Sequence, residues 1–136
     1  MHNKEIQLLE KKFISPKDRF AITPAEFKEL KKNFFKANIL IVGAAGSIGG
    51  VFVENLKRYD FTSLHLIDKD ENRLTELSRN INISFNKKKI NKINYYCSDL
   101  CGLNINKEIL NKKITHYLNF AAVKHVRSEE NLLSVK

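Results

Sequence analysis

Short apolar segments alternate with longer amphipathic ones over most of the chain. The short segments are rich in β-branched and aromatic residues and lie at 38–42, 63–67, 93–97 and 115–120. The longer segments repeat apolar residues at helical spacing and lie at 47–59, 71–85 and 106–113. Strands that are apolar along their whole length and alternate with helices are typical of a parallel sheet built from right-handed βαβ units. The pattern therefore predicts an α/β fold with four parallel strands.

The first 36 residues follow a different pattern, because helical spacing recurs there without intervening apolar strands. An early helical stretch is broken by the sequence SPKDRF. A second stretch begins with Thr23 as a candidate N-cap, Pro24 at the first helical position and Glu26 closing a capping box. We therefore expect a helical N-terminal arm over 1–36, packed on the domain at 37–136 or on a partner subunit.

Four of the five glycines lie within 43–50, where the first predicted strand gives way to the helix after it. Gly43, Gly46 and Gly49 form the pattern G-x-x-G-x-x-G. The first glycine permits a tight turn with positive φ, the second lets backbone approach a phosphate, and the third lets the helix pack closely. Free N–H groups at the helix start, together with the Ser47 hydroxyl, can then bind a pyrophosphate. A purely structural turn remains the alternative, and a P-loop is excluded because no Gly-Lys-Ser/Thr ends the pattern.

An acidic residue, Asp68, ends the second predicted strand, 19 residues after Gly49. In dinucleotide-binding folds a carboxylate at this place accepts hydrogen bonds from the adenosine ribose. Its charge would repel the 2′-phosphate of NADP, which favours NAD, although Lys69 and Arg73 can weaken that repulsion. The sequence thus predicts a Rossmann-like sheet that binds NAD, with NADP left open.

The chain carries 24 Lys and Arg against 15 Asp and Glu, a formal charge of +9. Such an excess raises the question of nucleic-acid binding, since clustered cations gain affinity by releasing phosphate counterions. Here the cations are spread along the chain, and the one cluster, Asn86–Lys92, falls between a predicted helix and strand, where we expect a solvated connection. We expect no nucleic-acid partner, and a basic nucleic-acid-binding domain remains a rival hypothesis.

The two cysteines, Cys97 and Cys101, are too few for the disulfide framework of a small secreted domain and indicate a reducing compartment. Two ligands also fall short of the four that a structural zinc needs, so we expect no metal site. No signal-peptide pattern opens the chain, and the longest uncharged run, 37–53, is shorter than the ~20 residues that cross a bilayer. We expect a cytoplasmic protein that does not associate with membranes.

Several motifs together resemble a known family. They are the glycine pattern, DKDENRLTEL after the second strand, SDL after the third and NFAAVKHVRSEEN after the fourth. With them the chain resembles the extended short-chain dehydrogenases/reductases, and more narrowly the polysaccharide-biosynthesis nucleotide-sugar 4,6-dehydratases of the UDP-N-acetylglucosamine type. The resemblance covers 37–136, and AAVKHVRSE is its most specific part.

The resemblance implies a cofactor site made of Gly43, Gly46, Ser47, Ile48, Gly49, Asp68, Asp99, Leu100, Ala121, Ala122 and Lys124. The glycine loop would surround the pyrophosphate, Asp68 would bind the ribose, and the 99–100 pair would meet the adenine. The two alanines would let the cofactor pass the end of the fourth strand. Lys124 would lie near the nicotinamide ribose and the sugar nucleotide, unless it is an ordinary solvated loop lysine.

The catalytic part of that family has no counterpart in the sequence. Family members oxidise a UDP-sugar at C4, eliminate water across C5–C6 and return the hydride to C6, using a Tyr-x-x-x-Lys-like pair. None of the four tyrosines is followed by lysine four residues later, so we expect no catalytic residue here. The chain is expected to be the N-terminal part of such an enzyme, truncated before the sugar-binding region and able to form a homo-oligomer. The alternative is a stand-alone, non-catalytic nucleotide-binding module.

Overall fold

The helices and strands follow the predicted alternation. In the computed structural model, which describes residues 21–99, 109 and 111–122, they run α1 Pro24–Phe34, β1 Asn38–Val42, α2 Ser47–Asn55, β2 Ser63–Asp68, α3 Glu71–Ser84, α4 Lys87–Ile90, β3 Ile93–Cys97 and β4 His116–Asn119. A short 3₁₀ turn, Leu56–Arg58, extends α2. The chain divides into two units between Lys32 and Asn33, and the sheet belongs to the second.

The four strands form one parallel sheet in the order β3-β2-β1-β4. The chain moves outward from β1 to β2 and β3 and then returns to the other side of β1 as β4. This reversal makes the carboxyl ends of β1 and β4 a topological switch point, where open α/β sheets bind their ligands. The predicted Rossmann-like class, with its first four strands and an N-terminal helix, is confirmed.

The central strands are buried on both faces, which explains their continuous apolar sequences. On one face Leu40, Val42 and Ile67 pack with Ile109. Residues alternating with these face the other side and are fully buried: Ile39, Ile41, Leu64 and Leu66. Because right-handed crossovers place their helices on one side of the sheet, α2 and α3 cover this second face. They contribute buried residues of their own, among them Val53, Leu74 and Ile81.

The first helix begins as predicted. The backbone N–H of Thr23 donates to Glu26 Oε2 at 2.8 Å, and the backbone N–H of Glu26 donates to Thr23 Oγ1 at 3.3 Å. These bonds are a capping box, and the bond from the Thr23 backbone lowers the pKa of the exposed Glu26 carboxyl. Lys36, with φ of 62°, follows the helix end in the left-handed conformation common there. Residues 1–20 lie outside the described residues, so the arm over 1–36 stays a prediction.

A series of hydrogen-bonded polar side chains begins at the amino ends of β1 and β2 and continues along one face of the sheet to Tyr96 of β3. Ser63 Oγ donates to Asn38 Oδ1 at 2.8 Å, and therefore accepts from His65 Nε2 at 3.1 Å. In the neutral imidazole, where only Nε2 carries a proton, His65 Nδ1 accepts from the Tyr96 hydroxyl at 3.1 Å. His65 is 1% exposed, and its burial, with a smaller effect of the Lys112 charge, lowers its pKa.

Two lysines of the basic cluster Asn86–Lys92 donate hydrogen bonds to backbone carbonyls elsewhere in the chain. Lys89 Nζ donates to the carbonyls of Lys57 at 2.7 Å and Tyr59 at 2.8 Å, and its side chain is only 13% exposed. Lys92 Nζ donates to the Phe61 carbonyl at 3.1 Å. Carbonyls at the end of a helical segment lack helical partners and attract cations. The expectation of a solvated connection is therefore wrong for Lys89, whereas Lys92 is exposed although its ammonium donates a hydrogen bond.

Candidate functional site

The turn between β1 and α2 depends on glycine at its first position for two reasons. Gly43 has φ of 69°, a conformation that side chains disfavour. A Cβ on Gly43 would also lie 2.6 Å from the backbone nitrogen of Ala121, because the end of β4 approaches the turn closely. Gly43 therefore brings the exits of β1 and β4 together at the switch point.

The other glycines of the motif differ in what surrounds them. A Cβ on Gly49 would collide with the Gly43 carbonyl oxygen, so the close approach of α2 to the turn requires glycine there. A Cβ on Gly46 would lie 3.3 Å from the same oxygen, a tight contact that a shift of a few tenths of an ångström would relieve. On Gly50 it would meet only ordinary contact, 3.8 Å from the Ala44 carbonyl oxygen. Packing thus explains glycine at 43 and 49 but only weakly at 46.

The first turn of α2 presents its backbone donors to the same edge of the sheet. Gly46 is the N-cap residue, with an extended backbone, and no side chain caps the helix. Ser47 and Ile48, which begin the helix, are exposed, and Ile48 is 73% exposed. Uncapped N–H groups at a helix start, with the positive end of the helix dipole, suit an anion.

Asp68 connects the end of β2 to the glycine turn. Its Oδ2 accepts from the backbone N–H of Ala45 at 2.9 Å, and its Oδ1 accepts from the backbone N–H of Asp70 at 3.0 Å. Each carboxylate oxygen keeps a second lone pair, so ribose hydroxyls can still donate to the half-buried group. The sequence predicted Asp68 as a ribose ligand but not its bond to Ala45, since no local pattern signals a contact across 23 residues.

Asp70 is the N-cap residue of α3 and pairs with a cation, Arg73, near Asp68. Its Oδ1 accepts from the backbone N–H of Arg73 at 3.1 Å, which makes it the N-cap, and its Oδ2 lies 3.5 Å from Arg73 Nε. A cavity of about 480 Å³ lies alongside, lined by Ala45, Ser47, Gly50, Val51, Glu54, Arg73, Glu76, Leu77 and Asn80. Ala45, which binds Asp68, is thus also part of the cavity wall.

Most of the predicted cofactor residues meet at the carboxyl edge of the sheet. Ala121 and Ala122 are exposed just after β4, where the Ala121 N–H donates to Asn119 Oδ1 at 2.9 Å. Asp99 is exposed just after β3, and the neighbouring Ser98 N–H donates to the Asp68 carbonyl at 3.0 Å. The predicted residues Leu100 and Lys124 lie outside the described residues.

The sequence pattern of a family described as "Polysaccharide biosynthesis protein" matches residues 39–135. The chain belongs to this family. The resemblance stated from the motifs is therefore confirmed at the level of the family. No curated protein sequence matches the chain.

Two solved structures share the fold. Pen from Bacillus thuringiensis is 22% identical with a TM-score of 0.58, and the alignment covers 72% of this chain and 28% of that one. A protein described as a short chain dehydrogenase from Escherichia coli CFT073 is 19% identical with a TM-score of 0.52, covering 66% and 41%. The chain thus spans less than half the length of either. At these identities the likeness supports the fold alone.

Two further observations concern the described part of the chain. Among those residues, no helix is both long and apolar enough to cross a bilayer. The same residues include no cluster of three or more His, Cys, Asp or Glu side chains placed to hold a metal ion.

Proposed function

We propose that this chain is the dinucleotide-binding portion of a nucleotide-sugar 4,6-dehydratase or epimerase of surface polysaccharide biosynthesis. The family assignment supports the biosynthetic setting, and the Rossmann-like sheet is a nucleotide-binding fold. The observation that carries the proposal is the contrast among the glycines. Gly43 and Gly49 are required by packing, whereas Gly46 is only weakly required. A ligand that approaches the backbone at Gly46 supplies the missing reason.

The proposed ligand is NAD, and we propose a partner for its pyrophosphate, its adenosine ribose and its nicotinamide half. The pyrophosphate lies against the N–H groups at the start of α2, with the Ser47 hydroxyl beside it. The adenosine ribose donates to Asp68, and the nicotinamide half passes the small residues Ala121 and Ala122. Lys124 is proposed to contact the nicotinamide ribose and the sugar nucleotide. Bound NAD supplies a hydride acceptor and donor for the sugar.

The proposed substrate of the whole enzyme is a UDP-sugar. The chain spans less than half of either solved structure, and none of its tyrosines begins a Tyr-x-x-x-Lys pair. We therefore assign cofactor binding to these residues and proton transfer to sequence outside them. The proposed location is the cytoplasm, where UDP-sugars are made.

Calorimetric titration with NAD tests the proposal on two matched glycine variants. Gly46→Val places two methyl groups where the pyrophosphate approaches, and we expect NAD affinity to fall at least about tenfold, about 1.4 kcal/mol. Gly50→Ala adds a methyl group at a tolerant helical position four residues away and should keep wild-type affinity. Circular dichroism checks that both variants keep their helices. Equal NAD affinity in all three proteins would contradict the proposal, as would no NAD binding by the wild type.

A further inference from the structure

Arg73 is the cation beside the proposed adenosine end of the site, and its charge is already paired. It lines the same cavity as Ala45, whose N–H is bound by the proposed ribose ligand, Asp68. An unpaired guanidinium there would suit a 2′-phosphate, since arginine binds phosphate through several N–H donors. Instead, Arg73 Nε lies 3.5 Å from Asp70 Oδ2.

Three other acids also act against a phosphate in this place. Glu54 and Glu76 line the cavity with Arg73, and the Asp68 carboxylate binds the N–H of Ala45, another lining residue. Together with Asp70 these carboxylates number four, whereas Arg73 and the neighbouring Lys69 supply two cations. A phosphate dianion would therefore meet net repulsion here, whereas a ribose hydroxyl would not.

We propose that Asp70 is a positioning residue for cofactor choice: it holds Arg73 in an ion pair and so withholds this cation from the 2′-phosphate of NADP. The inference rests on the proposed function, because it names the cofactor class that the proposed site prefers. It assigns part of the preference for NAD over NADP to the Asp70–Arg73 pair, in addition to Asp68. Both members are partly exposed, Arg73 at 64% and Asp70 at 44%, so neutralising one releases the other to solvent and ligand.

The test compares NAD and NADP binding in variants that keep the start of α3 intact. Asp70→Asn removes the charge but retains a good N-cap side chain. We expect NADP affinity to rise roughly three- to fivefold, as suits interactions between exposed charges, with NAD affinity unchanged within about twofold. The gain should shrink as salt is added, because the charges involved are exposed to solvent. The double variant Asp70→Asn/Arg73→Gln should lose the gain, since the released cation is gone.

Glu71→Gln is the matched control for net charge. It neutralises the next residue, an exposed acid in the same helical turn that is not part of the Asp70–Arg73 pair. It should leave the NADP/NAD affinity ratio unchanged. Thermal unfolding of each variant without cofactor establishes that the fold is retained.

The outcomes separate this inference from the proposed function. If the wild type binds NAD and Asp70→Asn leaves the NADP/NAD ratio unchanged, the inference is wrong and the proposed function stands. If the gain persists in the double variant, or appears equally in Glu71→Gln, Asp70 does not act through Arg73 and the inference is again wrong. A wild type that binds neither cofactor overturns both.

Discussion

Replacing Asp68 removes both a backbone anchor and a negative charge. In the protein without cofactor, Asp68→Ser deletes the bonds from the N–H groups of Ala45 and Asp70. Hydrogen bonds to charged groups are worth about 1.5–3 kcal/mol each. Because Asp68 is only half-buried, water replaces part of both bonds. We expect unfolding free energy to fall by about 2–3 kcal/mol, which lowers the thermal midpoint by roughly 6–15 °C in a domain of this size.

The same substitution should change cofactor preference. The carboxylate proposed to bind the ribose would also repel a 2′-phosphate. Its removal should therefore weaken the binding of NAD and reduce the repulsion of NADP. Loss of one charge-assisted bond to the ribose predicts that NAD affinity falls by about 1.5–3 kcal/mol, roughly 10- to 150-fold. Asp68→Asn separates the two roles, because the amide keeps one acceptor oxygen but carries no charge. It should lose less stability than Asp68→Ser while narrowing the preference for NAD as well.

Two measurements check these expectations independently. Thermal unfolding without cofactor measures how much the two backbone bonds of Asp68 stabilise the fold. Titration with NAD and NADP measures how the Asp68 charge affects the affinity for each cofactor. A wild-type thermal midpoint in both variants would show that the two bonds do not stabilise the turn. An unchanged NAD/NADP affinity ratio in both would show that Asp68 does not determine the choice of cofactor.

Two further predictions concern residues away from the site. Lys89→Met keeps the aliphatic stem but removes the donor to two carbonyls, so the free energy of unfolding measured with denaturant should fall by about 1–2 kcal/mol. Lys88→Met, at an exposed position, should lower it by less than about 0.5 kcal/mol. Equal losses of stability would contradict the role assigned to Lys89. Because burial lowers the His65 pKa below its ordinary value of 6.5, the unfolded chain binds the proton first and stability falls as pH drops below that value, by about 1.4 kcal/mol per unit of pKa difference. Urea unfolding at pH 7.5 and 5.5 should show that His65→Gln loses less stability between these two pH values than the wild type. An identical loss in both proteins would refute the assignment of this pH dependence to His65.

The sequence predicted the elements whose signals are local. The first three strands were expected at 38–42, 63–67 and 93–97, and the structure departs from these bounds only by including Asp68 in β2. They were predictable because a parallel strand covered on both faces is apolar throughout. The start of α1 was equally clear, because a capping box and an N-terminal proline lie within four consecutive residues. The helix expected over 47–59 ends instead at Asn55 and tightens into a 3₁₀ turn, a change that apolar spacing does not distinguish.

The interactions that the sequence did not predict join residues far apart in the chain. Lys89 reaches carbonyls 30 and 32 residues earlier, and Asp68 binds an N–H 23 residues earlier. From composition, Lys89 was identified only as a member of a basic cluster. From motif spacing, Asp68 was predicted only as a ribose ligand. Side-chain to backbone bonds of this kind depend on which loops the fold brings together, so they follow from topology rather than from spacing.

The glycine turn is held from three directions before any ligand is considered. β4 approaches it at Gly43, α2 packs against it at Gly49, and β2 binds it through Asp68 and Ala45. A binding loop fixed in this way loses little conformational entropy when a ligand arrives, so less of the interaction energy is spent on ordering it. Among the three motif glycines, Gly46 has the weakest packing requirement, a 3.3 Å contact rather than an overlap. The fold therefore accounts for glycine at 43 and 49, and the proposed pyrophosphate accounts for glycine at 46.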